Sequence, residues 1–426
     1  MRRMRSYVTN GLRRTLAALI VFFILGNTAL GYSDTEPFPQ LNEEQLAPVA
    51  LVVEKTIRDG KISGAVVLIG NRGKVIYRQA FGYRSFAPEK IGMTTDTIFD
   101  LASLTKAVAT TTAVIQLVEM GKLRLDNPVA RYWPAFKAKR KGHITVRELL
   151  THYSGLRPAL NLKPNWSGYK TAMKKIIAER PLYSPGKNYM YSDINFEILG
   201  ELVRRVSGKT LDEYCSTYIF KPLGMNDTLF KPPAVLHERI APTHYNNGKM
   251  LCGSVHDPTC STMGGVSGHA GLFSTADDLS IFAQMLLNKG DMNGVKILRP
   301  QTVEQMTIPQ SPLNKTKLRG LGWDIEAPLC SNRDELLPVG AYGHLGYTGT
   351  SIWIDPVTET YVIVLTNRVY PDGKGDVKEL RDLIKSIVAG ALGTISYEQI
   401  LIKRPALISY YKYMKNRGIW VFNQKL

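Results

Sequence analysis

The sequence predicts an α+β fold in which an antiparallel sheet, built from both ends of the chain, is flanked by helices and interrupted by an inserted all-α lobe. Alternating β-rich runs at 64–84 and 350–368 supply the strands. Helical periodicity lies just outside them, at 41–59 and 377–392. The middle of the chain, roughly 107–290, has helical patterns and little strand signal. We expect a functional cleft between these two parts.

Turn chemistry supports the sheet. The first β-rich run alternates on both sides of Asn71-Arg72-Gly73, and the second is divided at Asp355-Pro356. Asn, Asp, Gly and Pro are the residues that tight turns prefer. Each run is therefore predicted to be a pair of strands joined by a turn.

Composition divides the chain into three parts. The first 31 residues contain five arginines, then an apolar run at 16–25 and small residues up to Gly31, as a secretory signal peptide does. Because a membrane span needs about 20 apolar residues, we expect cleavage after Gly31, with a retained membrane anchor as the alternative. Either way the remainder is predicted to be secreted or periplasmic. The parts are a signal peptide at 1–31, a domain at 32–400 (α/β part about 43–106 and 291–395, helical part about 107–290) and a basic aromatic tail at 401–426.

The tail accounts for part of the positive charge. The formal net charge is +18, and residues 401–426 contain six Lys or Arg and no acid. Tyr410, Tyr411, Tyr413 and Trp420 are interleaved with these cations. The tail is expected either to contact an anionic membrane surface or cell-wall polymer, or to pack its aromatic rings on the domain. No nucleic-acid-binding motif occurs, so nucleic acid is not an expected partner.

The four cysteines permit disulfides in an oxidising compartment. Cys252 and Cys260, eight residues apart in a glycine-rich segment, are the favoured pair. Neither CxxC nor HExxH occurs and the histidines are scattered, so no metal or other cofactor is predicted.

Ser103 and Lys106 open a long helical pattern and are the candidate catalytic pair. Positions i and i+3 share a helix face, so the hydroxyl and the amine can meet. Serine needs a neighbouring base to become a nucleophile, and lysine can be that base when burial and nearby cations depress its pKa. The start of a helix also directs N–H groups toward a developing oxyanion. The segment predicts a hydrolase that acylates itself on Ser103.

Spacing alone is weak support, because Ser-x-x-Lys occurs three more times. Ser184 lies in a Ser-Pro-Gly-Lys turn, Ser167 in a glycine-containing loop and Ser409 in the basic tail. None of these contexts holds the two side chains on one face of a long helix.

Five motifs occur in order along the chain: FDLASLTK at 99–106, ITVRELLTHYSGL at 144–156, YSPGKNYMYSDINFEILG at 183–200, YIFKPLGMNDT at 218–228 and GHLGYTGTSIWIDP at 343–356. With these motifs the chain resembles, from about 43 to 393, the serine β-lactamase and penicillin-binding protein superfamily in its class C β-lactamase-like branch. The resemblance implies a β-lactamase-like fold and a serine hydrolase. A sixth segment, MGGVSGHAGLFST at 263–275, is similar to penicillin-binding protein 4B-type members.

The resemblance assigns Tyr191 to the Tyr-x-Asn element of the family, in which the tyrosine shares proton transfer with the lysine. Asp193 stands where the family has asparagine. A carboxylate there removes an amide donor to the substrate and adds negative charge, which is expected either to stabilise protonated Lys106 or to select a different acyl group.

The third family motif, Lys-Thr-Gly, falls at His344-Leu345-Gly346. The resemblance implies that His344 orients Tyr191 or binds an anionic group, that Leu345 and Gly346 line the substrate, and that the N–H groups of Ser103 and Tyr347 form the oxyanion hole. Leu345 lacks the hydroxyl that holds a β-lactam carboxylate, which argues against ordinary β-lactams as substrates.

Several functions remain open. Candidate substrates are a peptidoglycan-type peptide, an ester or a β-lactam. An α/β-hydrolase is disfavoured because no serine lies in Gly-x-Ser-x-Gly. The alternative of a different class is a non-catalytic wall-binding or penicillin-sensing module on the same scaffold.

Three other polar features receive structural interpretations. His269 lies among glycines that a turn into the following helix explains, and a catalytic role is less favoured. His152 and Ser154 are expected to tie their loop to the core. The KAKRK cluster at 137–141 is expected to be a solvated surface.

Overall fold

The computed structural model describes most of the chain after the predicted signal peptide. That segment, 1–31, lies outside the described residues, as do Cys330 and the end of the tail, 418–426. The described ranges are 40–87, 89–246, 249–314, 317–326, 340–393 and 397–417.

The main sheet joins both ends of the domain. The strands of the described residues are β1 (Gly64–Asn71), β2 (Lys74–Ser85), β3 (Ile91–Gly92), β4 (Phe99–Asp100), β5 (Leu229–Phe230), β6 (Tyr245–Asn246), β7 (Lys249–Met250), β8 (Leu272–Ser274), β9 (Asp291–Met292), β10 (Val295–Lys296), β11 (Asp324–Glu326), β12 (Ala341–Leu345), β13 (Ser351–Asp355) and β14 (Thr360–Thr366). Seven of them form the main sheet in the order β11-β12-β13-β14-β1-β2-β3, and every neighbouring pair is antiparallel. The predicted antiparallel sheet built from both chain ends is therefore confirmed.

The helices cover this sheet and fill the segment between its two halves. The α-helices are α1 (Pro48–Arg58), α2 (Thr112–Glu119), α3 (Val146–Leu150), α4 (Tyr169–Ala178), α5 (Asp193–Ser207), α6 (Leu211–Cys215), α7 (Lys221–Leu223), α8 (Pro258–Met263), α9 (Ala276–Leu287), α10 (Pro300–Met306), α11 (Lys378–Leu392), α12 (Tyr397–Lys403) and α13 (Ile408–Asn416). Shorter 3₁₀ and π segments lie at Glu44–Leu46, Lys106–Thr111, Val129–Arg131, Pro134–Arg140, Ser216–Phe220, Ala234–Arg239 and Pro405–Leu407.

The central strands are apolar because both faces of the sheet are covered. All of β1 and β14 is buried. Helix α9 packs on β1, β13 and β14, while α1 packs on β2 and on α11. A strand buried on both faces has a continuous run of apolar side chains rather than strict alternation, as in the sequence of β1.

The segment between the halves is mostly helical but contains short strands that the sequence pattern does not predict. Strands β4, β8 and β5 form a three-stranded sheet in that order. They are two or three residues long, too short for alternation to reveal. This small sheet fixes the residues before Ser103: the Leu101 N–H donates to the Leu272 carbonyl at 2.9 Å.

The predicted Cys252–Cys260 disulfide is wrong. Both residues are free thiols. The Cys260 Sγ lies 3.2 Å from the Ala270 carbonyl oxygen, whereas the Cys252 Sγ lies 3.4 Å from the His237 carbonyl oxygen. Helix α8 begins between the two cysteines and carries Cys260 into the core. Their spacing in sequence therefore does not bring the thiols together.

Lys141 corrects the prediction that its basic cluster is a solvated surface. Its side chain is buried and donates to the carbonyl oxygens of Ala138, Ile177 and Glu179 at 2.6–2.9 Å. The last two carbonyls lie at the end of α4, where the chain leaves backbone acceptors without helical partners. Lys141 thus caps a helix instead of facing water.

The described part of the tail packs on the domain. Helix α12 runs across position 400, and Tyr410 and Tyr411 are only 4% and 1% exposed. Arg404 is buried as well and donates to the Gly340 and Thr307 carbonyl oxygens. Within the described ranges, every helix is too short or too polar to cross a bilayer.

Candidate active site

Ser103 lies at a sharp turn where the small sheet meets a buried helix. The helical segment starts at Leu104, passes through the π-helical stretch and continues into α2. Ala102 has φ +46°, and its N–H donates to the Asp100 carboxylate at 2.8 Å. A left-handed conformation is uncommon for alanine and is held here by its surroundings. The turn places the Ser103 side chain at the head of the helix.

Lys106 lies one turn below Ser103 and is fully buried. Its Nζ donates to Ser103 Oγ at 3.0 Å and to the His269 carbonyl oxygen at 3.1 Å. The same nitrogen forms an ion pair of 2.7 Å with Asp193 Oδ1. The structure therefore joins three of the predicted site residues in one set of direct contacts.

The charge of Lys106 differs from the sequence expectation. Burial alone lowers the pKa of its ammonium group, but the Asp193 carboxylate and the Tyr191 hydroxyl act in the opposite direction and outweigh it. The net pKa of Lys106 is raised, not depressed. The prediction of a lysine made neutral by burial is wrong for this arrangement, because Asp193 supplies a counter-charge. Of the two roles considered for Asp193, the geometry supports stabilisation of protonated Lys106.

Tyr191 lies beside this pair. Its ring centroid is 4.9 Å from Lys106 Nζ and 4.5 Å from the centroid of the His152 ring. His152 is buried and neutral, since desolvation holds its pKa well below the usual range, and its Nδ1 accepts from the Ser192 N–H. Ser154 donates to Asn195 Oδ1 at 2.6 Å. These contacts confirm that His152 and Ser154 tie their loop to the core, here directly against Tyr191.

His344 lies on the other side of Tyr191, with 6.3 Å between the ring centroids. The residue is 2% exposed, and its Nδ1 contacts the Leu345 carbonyl oxygen at 2.9 Å. Burial lowers the pKa of His344 to about 4, so the imidazole is neutral near pH 7. A neutral ring offers no positive charge to an anion. The geometry therefore favours the predicted orienting role of His344 over anion binding.

The segment after His344 lies against the turn that carries Ser103. A Cβ on Gly346 would lie 2.5 Å from the Leu101 carbonyl oxygen and 2.0 Å from Thr350 Oγ1, so only glycine fits. Leu345 and Tyr347 on either side are 41% and 61% exposed. Neither the Ser103 nor the Tyr347 N–H donates to another described residue. Two free donors and an exposed apolar rim are thus available to a substrate.

Sequence reasoning missed a buried ionic network behind Lys106. His269 Nε2 lies 2.8 Å from Asp257 Oδ1, and Nδ1 lies 2.8 Å from Ser267 Oγ and 3.5 Å from Glu197 Oε1. Desolvation opposes the charge on His269, but the carboxylates, Asp257 first, raise its pKa to about 9. His269 is therefore a buried cation rather than a simple turn residue. Nothing in the sequence around Asp257 or Glu197 indicates this arrangement.

Three residues of this network are of types that bind metal ions, but in the structure their charges are already paired with cationic or anionic side chains. Asp193, Asp257 and His269 each offer one ligand atom, and these atoms lie within 4.8 Å of one another. In the structure, however, Lys106 pairs with Asp193 and His269 pairs with Asp257. The cluster is therefore a set of two ion pairs, each of which places a cation next to a carboxylate.

Glu197 provides a pH-dependent prediction for stability. Both of its carboxylate oxygens are buried without a hydrogen bond, and desolvation raises its pKa from 4.5 to about 7. The stability contributed by the protonated form is present below pH 4.5 and is lost as the pH rises through about 7. Glu197→Gln stays neutral, so we expect it to raise the free energy of unfolding by about 2 kcal/mol at pH 8 and to change little at pH 4.5.

Glu201, one turn later on α5, is the matched control. It pairs with Arg204 and Arg205 at 2.6–2.8 Å, and its pKa is lowered although desolvation opposes this. Its contribution is present above the ordinary pKa and is lost as the pH falls. Glu201→Gln should therefore destabilise the protein at pH 8. Thermal and urea unfolding at both pH values measure the contrast, and a Glu197→Gln variant less stable than wild type at pH 8 would contradict it.

Comparisons with known proteins agree with this geometry. Residues 49–385 match the family model described as Beta-lactamase. A putative D-alanyl-D-alanine carboxypeptidase from Salmonella typhimurium strain LT2 is 35% identical over 340 residues, covering 71% of this chain and 78% of that protein. The same figures hold for a protein of that name from Salmonella schwarzengrund.

Solved structures show the same fold. EstCE1, a hydrolase with promiscuous acyltransferase activity, superimposes with a TM-score of 0.68 at 24% identity, covering 82% of this chain and 99% of that one. A penicillin-binding protein homologue from Caulobacter crescentus gives a TM-score of 0.67 at 23% identity, with 83% and 99% covered.

Proposed function

The chain belongs to the β-lactamase family of serine hydrolases, and from that membership we propose that it forms an acyl-enzyme on Ser103, with Lys106 and Tyr191 handling the proton. The observation that carries this proposal is the hydrogen bond of 3.0 Å between Lys106 Nζ and Ser103 Oγ. A buried ammonium group that donates to a serine hydroxyl, with the centroid of the Tyr191 ring 4.9 Å from the same nitrogen, suits nucleophilic catalysis. The alternative of a non-catalytic module leaves this arrangement without a purpose.

Because the pKa of Lys106 is raised, we propose different roles for Lys106 and Tyr191. In our proposal the protonated Lys106 donates a hydrogen bond to Ser103 Oγ, and Tyr191 acts as the phenolate, whose oxygen takes the serine proton as Oγ bonds to the substrate carbonyl carbon. The N–H groups of Ser103 and Tyr347 stabilise the oxyanion. Tyr191 then passes the proton to the leaving group as its bond to carbon breaks. Water attacks the acyl-enzyme, gives its proton to Tyr191 and frees the acid, and the proton returns to Ser103.

We propose a peptidoglycan-type peptide as the substrate class. The support is that the Salmonella relatives are named putative D-alanyl-D-alanine carboxypeptidases. A carboxylic ester is the second candidate, because exposed Leu345 replaces the hydroxyl that would hold a carboxylate. The charge of Asp193 and the loss of that hydroxyl count against a β-lactam and against a peptide that ends in a carboxylate, so the names of the relatives are what place the peptide first.

The remaining assignments are proposals that rest on the sequence. We propose export to the periplasm or the exterior, with cleavage after Gly31, a catalytic domain at 32–400 and contact of the basic tail with an anionic surface. Sequencing the N-terminus of protein recovered from the periplasm tests the cleavage. Co-sedimentation of the mature protein with purified peptidoglycan, compared for wild type and a variant with neutral tail residues, tests the contact.

Turnover by the mature protein tests the substrate class. D-Alanine release from a peptide ending in D-Ala-D-Ala, hydrolysis of a short-chain p-nitrophenyl ester and hydrolysis of a chromogenic cephalosporin are measured side by side. The proposal expects peptide turnover, with the ester next and the cephalosporin slowest. Turnover of none of the three, with no covalent label on Ser103, would refute a catalytic function.

Asp193→Asn gives a prediction on selectivity. The change restores the amide found in the family and removes the 2.7 Å ion pair with Lys106. Because an amide donor to the substrate is worth about one hydrogen bond, we expect acylation by a labelled penicillin to accelerate about 10-fold. Asp257→Asn removes a carboxylate from the same network without restoring that donor and serves as the control. A slower penicillin reaction in Asp193→Asn than in wild type would contradict the prediction.

A further inference from the structure

The peptide bond between Gly346 and Tyr347 has a donor side and an acceptor side. Its N–H, on Tyr347, is the second donor of the proposed oxyanion hole. Its carbonyl, on Gly346, belongs to the same rigid plane and points the opposite way, because the peptide is planar and trans. Whatever holds the carbonyl therefore fixes the direction of the N–H.

Two arginine side chains donate hydrogen bonds to backbone carbonyls of the turn at 346–350. Arg381, on α11, donates from Nη2 to the Gly346 carbonyl oxygen at 3.0 Å and to the Thr350 carbonyl oxygen at 2.6 Å. Arg368 donates from Nε to the Tyr347 carbonyl oxygen at 2.6 Å. The Gly346 carbonyl also accepts from the Gly349 N–H at 3.2 Å. Arg381 is thus the side chain that contacts the carbonyl of the donor peptide.

The same turn is bonded to the segment that precedes the nucleophile. Thr348 Oγ1 donates to the Asp100 carbonyl oxygen at 2.6 Å, and Thr350 Oγ1 donates to the Leu101 carbonyl oxygen at 3.0 Å. The two proposed oxyanion donors, Ser103 and Tyr347, are therefore parts of one bonded unit. Arg381 connects this unit to α11, outside the site.

We propose that Arg381 is a positioning residue for the oxyanion hole, a role that rests on the proposed function. It orients the Gly346–Tyr347 peptide, and its hydrogen bond to the carbonyl strengthens the N–H as a donor, because bonds in a chain polarise one another. The positive charge of Arg381 lies at the carbonyl end of this peptide, and the N–H at its other end is the one proposed to face the developing oxyanion. A donor fixed in advance stabilises the transition state more than the ground state.

Replacing Arg381 by methionine tests this role on the mature protein. Loss of a whole oxyanion donor costs about 10²–10³ in kcat, so a misoriented donor should cost about 10- to 100-fold, with KM for a p-nitrophenyl ester changed less than about threefold. Affinity for phenylboronic acid, which forms a tetrahedral adduct with serine, should fall in parallel with kcat. Arg381→Lys keeps a positive charge and N–H donors on a shorter side chain, so it should lie between wild type and Arg381→Met, and it replaces that variant if the latter does not fold.

Arg404→Met is the control, because it removes another buried arginine that donates to backbone carbonyls, at Gly340 and Thr307. It should lower the melting temperature while leaving kcat and boronate affinity near wild type. If Arg381→Met loses no more kcat than Arg404→Met, or keeps its boronate affinity, the positioning role is overturned while the proposed function stands. A wild-type protein that neither hydrolyses the ester nor binds the boronate overturns both.

Discussion

Ser103→Ala is expected to reduce turnover of the best substrate by about 10⁵-fold, the scale on which removal of a catalytic serine acts. The reason is that Ser103 Oγ is the hydroxyl to which Lys106 Nζ donates, at 3.0 Å, whereas the neighbouring Thr105 hydroxyl is buried and accepts from the Leu272 N–H. A serine-reactive fluorophosphonate should label the wild-type protein on a peptide containing Ser103, located by mass spectrometry, and should leave the variant unlabelled. Folding is monitored by thermal unfolding, which the loss of one hydroxyl should barely change.

The chain provides its own control for this experiment. Ser184 has a lysine at the same spacing but lies in an exposed turn. Ser184→Ala should keep full activity and full labelling. Equal labelling of Ser103→Ala and wild type would mean that the acyl-enzyme forms elsewhere, and the proposed mechanism would fail.

Lys106→Met should have the second largest effect, a loss of about 10³-fold in kcat, within the range for residues that manage a proton in the transition state. The change removes the donor to Ser103 Oγ and leaves the Asp193 carboxylate without its partner. Repulsion between that carboxylate and the developing oxyanion adds to the loss. Steady-state kinetics on the best substrate measures it, with thermal unfolding in parallel.

Two further variants separate catalysis from stability. Lys106→Met combined with Asp193→Asn restores the charge balance, so its melting temperature should recover while kcat stays low. Lys141→Met removes another buried lysine that donates to backbone carbonyls, but at the end of α4. It should lose stability and keep kcat. A double variant that regains both stability and activity would show that Lys106 only neutralises Asp193.

The long elements of the fold were predictable because their patterns are local. Strand β1 is a continuous β-rich run that a turn with Asn and Gly joins to β2, and the apolar stripe of α11 repeats over about four turns. The pairing of β8 with β4 and with β5 was not predictable, because a strand of two or three residues is too short to show a periodic pattern. The burial of Lys141 was not predictable either. A lysine in a basic cluster is expected to be exposed, and the carbonyl oxygens that Lys141 contacts at Ile177 and Glu179 are distant in sequence.

The proximity of the predicted site residues could be inferred from the sequence, but their charges could not. The ordered motifs indicate Ser103, Lys106, Tyr191 and His344, and the structure brings these side chains together. The sign of the pKa shift of Lys106 depends on a 2.7 Å contact with Asp193, which no spacing in sequence reports. The His269 pair with Asp257 joins two loops through side chains that are unremarkable in sequence. The protonation of Lys106 and His269 therefore depends on distances to carboxylates that only the folded structure shows.

The pairing at the centre of the main sheet sets when this enzyme can become active. Strand β1 pairs with β14 from Ala65 opposite Thr366 to Asn71 opposite Thr360, so the centre of the sheet closes a loop of about 300 residues. Contacts this distant in sequence form slowly, and they cannot form before β14 has been made. A nascent chain that has β1 but lacks β14 has no complete catalytic lobe. The surroundings of the proposed nucleophile are therefore complete only after the last strands are available.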